Sequence, residues 1–160
     1  EGALDRAATE GGFTLVRKVE RLNGGGAPGL GDLVAVTLEI VAPRESWYLA
    51  IRDPLPAGLE AVHTDFVVES VLEARRLGRH AGRYEPLPVD FSEIRDREMR
   101  LYADHVLPGV YEVRYLARVR AVGTFGHPPA TIEAMYSPEL NASSASPAFV
   151  TRQAKAEGGR

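Results

Sequence analysis

The chain has 160 residues, of which 44% are apolar and 26% charged, and its formal net charge is −3. One domain with a packed core fits that length, and the slight acidity excludes bulk attraction to nucleic acid or acidic membranes. The absence of cysteine excludes disulfides, thiolate metal sites and cysteine nucleophiles together.

Eleven prolines and 16 glycines favour turns over long helices. No apolar run is long enough to span a bilayer as a helix, so direct membrane insertion is not expected, and no segment reads as a signal peptide. The chain begins at Glu1 rather than Met, as expected of a fragment whose targeting signal lies elsewhere in a larger protein.

Residues 1–12 are polar and read as a flexible lead-in. Phe13 to Glu20 predicts an edge strand with Phe13, Leu15 and Val19 on one face, a pattern that Val16 and Arg17 interrupt. Asn23 to Gly29 is a glycine-rich loop, and Gly31-Asp32 a turn. From Leu33 to Val41 the alternation is clean, with Val34, Val36, Leu38 and Ile40 pointing one way. Trp47 to Arg52 predicts another strand, with Trp47, Leu49 and Ile51 on one face, ended by the prolines of Asp53-Pro54-Leu55-Pro56. Leu59 to Val62 extends briefly. Val71, Leu72 and Leu77 with Glu73, Arg75 and Arg76 predict a short helix within residues 66–79, stopped by Gly78, and residues 80–92 make an irregular excursion.

A new β region begins at Ile94. Met99, Leu101 and Ala103 alternate with polar neighbours, and Leu107-Pro108-Gly109 turns the chain. Val110 to Val122 is the longest predicted strand, with Tyr111, Val113, Tyr115, Ala117, Val119 and Ala121 on one face. After Gly123 comes Pro128-Pro129, a short apolar run, and Met135-Tyr136 stopped by Ser137-Pro138. Ala148 to Arg152 predicts a last strand, and residues 153–160 a flexible tail. Short strands separated by Gly/Pro turns point to an all-β, antiparallel β-sandwich over residues 13–152 with at most one short helix.

Few residues suggest chemistry. None of His63, His80, His105 and His127 lies within four residues of another, which argues against zinc. Asp90, Glu93, Asp96, Glu98 and Asp104 supply the carboxylates of a glycosidase pair, but they alternate with Arg95, Arg97 and Arg100 and read as a solvated face. Gly24-Gly25-Gly26 lacks the Lys-Ser/Thr of a phosphate loop, and Ser143, Ser144 and Ser146 lack a paired base. Arg114, Arg118 and Arg120 share a strand face without base-stacking aromatics, so no nucleic-acid partner is expected. Trp47 and Phe125 read as core anchors. Met135 and Tyr136 stand at a strand end, where a Met usually fills a gap and a Tyr half-covers the core. No catalytic residue, metal or cofactor is expected.

Three segments carry a resemblance. Asp53-Pro54-Leu55-Pro56-Ala57-Gly58-Leu59-Glu60, Leu107 to Arg118, and Gly123 to Glu139 with its Met135-Tyr136-Ser137-Pro138 are similar, in that order, to the last, tenth macroglobulin-like domain of bacterial alpha-2-macroglobulins. The resemblance implies a macroglobulin-like sandwich inside a large periplasmic or cell-surface protease trap. It implies as partners a separate helical domain carrying a Cys–Gln thioester, the neighbouring macroglobulin domains and, through the whole protein, target proteases. Met135 and Tyr136 would shield that thioester from water, and Ser137 and Pro138 would hold their loop. An alternative is a stand-alone adhesion or carbohydrate-binding sandwich presenting Trp47 or Tyr48.

Overall fold

The structure is a computed structural model that describes residues 12–22, 24–62, 85–95 and 97–154. The predicted helix within 66–79, most of the lead-in and of the tail, His63, His80 and Asp96 lie outside the described residues. Among the described residues every regular element is a strand: β1 (Thr14–Arg21), β2 (Leu33–Ala42), β3 (Ser46–Pro54), β4 (Leu59–Ala61), β5 (Glu85–Pro86), β6 (Phe91–Arg95), β7 (Glu98–Val106), β8 (Gly109–Val119), β9 (Gly123–Gly126), β10 (Thr131–Ala134), β11 (Ser137–Ser143) and β12 (Ala148–Thr151).

Two main sheets form. One runs β1-β2-β8-β4, with β5 paired to β8; the other runs β11-β10-β3-β7-β6, and β9 pairs with β12 separately. All pairings are antiparallel except the short β5–β8 pair and an isolated bridge between Gly29 and Arg152. The turn at Leu107-Pro108 carries the chain from β7 in one sheet to β8 in the other, so these consecutive strands do not pair.

The alternation of β2 and β8 builds the core. Val34, Val36, Leu38 and Ile40 are fully buried, and in β8 Tyr111, Val113, Tyr115, Ala117 and Val119 face inward beside them. The opposing sheet contributes Leu49, Ile51, Met99, Leu101 and Ile132 to the same apolar cluster. Phe125 packs against its rim over Gly58, where a Cβ would stand 2.5 Å from the ring; glycine is required there by close approach.

β1 is an edge strand, as its sequence predicts. Arg17, however, does not break its pattern. It points inward with Phe13 and Leu15 and is 5% exposed. Its Nη1 donates to Asp53 Oδ1 at 2.7 Å and to the Pro128 carbonyl at 2.8 Å, and its Nη2 donates to the carbonyls of His127 and Ala145 at 3.4 Å. The Tyr115 hydroxyl donates to the other oxygen of Asp53 at 2.6 Å. Burial pushes the Asp53 carboxyl up, and Arg17 and Tyr115 oppose that shift by holding the ionised form. One ion pair therefore joins an edge strand of the first sheet to β3 of the second, and both to the loops flanking β10 and β11.

Removing one partner of such a pair strands a buried charge. Arg17→Met is expected to lower unfolding stability by about 3–5 kcal/mol in urea titrations. Lys18→Met, on the opposite face beside Glu39, is expected to cost about 1 kcal/mol or less. Equal costs would contradict the assignment.

Candidate functional site

Met135 and Tyr136 are the whole connection between β10 and β11. β11 is an outer strand of its sheet, which suits Pro138 because an edge position needs no donor on its free side. Ser137 pairs with Ala134 after a register shift at Glu133/Ala134, and the Pro138 carbonyl accepts a 2.7 Å bond from Asn141 Nδ2. The tip is thus a short, hydrogen-bonded hairpin end.

Its side chains leave the core. Met135 is 51% exposed and Tyr136 78% exposed. A gap filler or a core lid would be covered by its own domain, and neither residue is. The tip leans instead on Tyr48 of β3. The Met135 amide donates to the Tyr48 carbonyl at 2.9 Å. The Tyr48 and Tyr136 rings meet edge to face, with centroids 5.2 Å apart at 81°.

Tyr48 also sets the orientation of its neighbour Trp47. The alternation of β3 predicts Trp47 inside with Leu49 and Ile51, but Trp47 is 53% exposed and is not a core anchor. Tyr48 has φ of 54°, the left-handed region, alone among the described non-glycine residues. That twist reverses the phase of the strand: Ser46 turns inward and Trp47 outward, while pairing with β7 keeps one register on both sides. The Trp47 ring stacks on its cross-strand partner His105 with centroids 3.9 Å apart, and His105 Nε2 bonds Glu45 at 2.6 Å. Trp47, Tyr48, Met135 and Tyr136 therefore sit exposed around adjoining strands β3 and β10. Reasoning from sequence does not place Tyr48 in this group with the tip; the only signal was two adjacent aromatics in a strand.

Several of the other candidates make structural contacts. Glu98 and Glu93 pair with Arg100 at 2.6 and 3.7 Å, and Asp90 Oδ2 accepts the Asp104 amide at 2.7 Å. Arg120 pairs with Glu60, Arg118 Nη1 donates to the Gly31 carbonyl, and Ser144 Oγ accepts the Ala130 amide at 2.9 Å. No group of three potential metal ligands occurs among the described residues.

His127 is 2% exposed. It bonds the Pro54 carbonyl, and its Nε2 has no partner among the described residues. Burial, then the charge of Arg17, push its pKa down to about 3, so it is neutral in the folded protein.

The fold is a macroglobulin-type β-sandwich. It aligns with a crystal structure of native Escherichia coli alpha-2-macroglobulin spanning domain MG7 to the C-terminus at TM-score 0.72 and 22% identity, covering 91% of this chain and 24% of that one. Salmonella alpha-2-macroglobulin reacted with methylamine aligns at TM-score 0.73 and 24% identity, covering 93% of this chain and 10% of that one. An alpha-2-macroglobulin homolog of Nostoc is 40% identical over 111 residues, 69% of this chain and 5% of that protein's length. Residues 12–139 match the family described as Bacterial Alpha-2-macroglobulin MG10 domain, and the chain belongs to that family.

The depressed pKa of His127 gives a pH prediction. Between pH 6.5 and about 3 the unfolded chain binds a proton at this residue that the folded chain does not. Its contribution is therefore complete above pH 6.5 and is lost as pH falls. At pH 4.5 the loss is about 2–3 kcal/mol. His127→Gln should flatten the decline in urea-unfolding stability between pH 7 and 4.5 by that amount; an unchanged decline would contradict the burial of a neutral ring.

Proposed function

We propose that this chain is the tenth, C-terminal macroglobulin-like domain of a bacterial protease-trapping inhibitor, and that the Met135–Tyr136 tip shields an internal thioester. The chain contains no cysteine, so the thioester belongs to another domain of the same polypeptide, a helical one as the family resemblance implies. The observation that carries this reading is the tip itself: a soft apolar side chain and a large ring, both exposed, on a tightly bonded hairpin end. An acyl thioester is an electrophile that water destroys, and a dry apolar cover removes the water. Ser137 and Pro138, the first two residues of β11, set the geometry of the tip. The domain does no catalysis; it stores another domain's reactivity until a protease cleaves the parent protein. Neighbouring macroglobulin domains are its other partners, target proteases meet only the whole molecule, and the parent works in the periplasm or at the cell surface.

A second reading has one observation behind it. Trp47 and Tyr48 are exposed, as a stand-alone adhesion or carbohydrate-binding module would need. One face of the Trp47 ring is already covered by His105, and Tyr48 is engaged with Tyr136, which leaves less open ring for a sugar to stack on.

Replacing both Met135 and Tyr136 by Ala separates the readings. In the chain alone the melting temperature should change by only a few degrees, since both side chains stand outside the core. In the full-length protein, methylamine should be taken up faster before any protease is added, and trapping capacity should fall. A folded double variant with wild-type uptake would remove the tip from the site.

A further inference from the structure

We infer that Tyr48 is the positioning residue of the tip: a strained tyrosine in β3 that holds Tyr136 in the orientation required to cover its partner. The inference rests on the shielding reading and adds a residue to it.

Three observations converge on Tyr48. It adopts φ of 54° in mid-strand, a conformation unfavourable for a bulky side chain and normally left to Gly, Asn or Asp. Such strain persists only where the surroundings enforce it, and it concentrates at sites of function. The residue is 46% exposed, so core packing does not account for the choice of tyrosine. Two of its contacts run to the tip. The carbonyl accepts the Met135 amide and the ring meets Tyr136 edge to face.

The two contacts divide the work. The carbonyl fixes where the hairpin ends, and any residue that tolerates this φ could supply it. The ring restricts Tyr136, which is otherwise 78% exposed and would sample several rotamers in water. A cover that must be ordered on docking binds less well than one already ordered. A glycine at 48 would relieve the strain and keep the bond but surrender the orientation of Tyr136. The left-handed twist also turns Trp47 outward, where its ring stacks on His105 of β7.

The test uses Tyr48→Gly, with Tyr48→Asn as a second variant suited to this φ, and Tyr48→Phe as the conservative change. In the 160-residue chain, NMR couplings should report one χ1 rotamer for Tyr136 in the wild type and in Tyr48→Phe. They should report rotamer averaging in the Gly and Asn variants. The Met135 amide should remain protected from exchange in all of them. In the full-length protein, Gly and Asn variants should take up methylamine roughly two- to tenfold faster, the range that an edge-to-face ring pair is worth, and Tyr48→Phe should restore the slow rate. An ordered Tyr136 in the Gly and Asn variants would overturn the inference while leaving the shielding reading intact. So would wild-type uptake in those variants when the Met135/Tyr136 double variant is fast. Wild-type uptake in the double variant as well would bring down both.

Discussion

The buried ion pair of Arg17 and Asp53 is the constraint on which the rest of the arrangement depends. Arg17 comes from an edge strand of one sheet and Asp53 from β3 of the other, and their side chains are almost wholly excluded from water. Desolvating both charges is expensive, and a pair of this kind contributes little net stability compared with well-packed apolar side chains. Its consequence is positional. The remaining guanidinium donors fall on the carbonyls of His127, Pro128 and Ala145, which are residues before β10 and after β11. Ser144 and Ser146 add bonds to Ala130 and to the His127 carbonyl. Both legs of the hairpin are thus anchored at its base by groups that must all be satisfied at once.

At the other end of the hairpin the balance is reversed. The base is polar and buried, whereas the tip is apolar and exposed. β10 pairs with β3 along its whole length, from Thr131 opposite Arg52 to Ala134 opposite Leu49, so the ordered base and the tip are parts of one rigid element. The Tyr48 carbonyl then closes the register at the first residue of the tip. A hairpin fixed in this way presents the backbone of Met135 and Tyr136 with little conformational freedom left to lose, which favours binding to a preformed surface on another domain. The belonging of the chain to the MG10 family and the short share of the Nostoc relative that it spans agree with a module that acts within a longer polypeptide.

Much of the sandwich was legible because its central strands obey strict alternation. β2 and β8 read correctly from Val34 to Ile40 and from Tyr111 to Val119, since every second residue had to meet the opposite sheet; the predicted strand ran on through Ala121 to Val122, whereas β8 ends at Val119. The division into sheets was not legible, because nothing in Leu107-Pro108-Gly109 distinguishes a hairpin from a crossing between layers. Arg17 was misread because a two-letter pattern of apolar and polar residues assigns every arginine to water; its partner Asp53 lies 36 positions away. Trp47 was misplaced for a different reason. Its orientation depends on one backbone angle at Tyr48, and tyrosine carries no sign of a left-handed φ as glycine or asparagine would. The tip residues were singled out by resemblance; their spacing alone favoured burial, and only the structure shows them in solvent.

The account stands or falls on what covers Tyr136 in the complete molecule. An experimental structure of the full-length protein before protease cleavage tests this most directly. The account predicts that Tyr136, 78% exposed in this domain by itself, is buried against a helical domain within van der Waals reach of its thioester, with the Tyr48 ring still behind it. A Tyr136 that remains in solvent in the uncleaved protein, with the thioester enclosed by other residues, would contradict it.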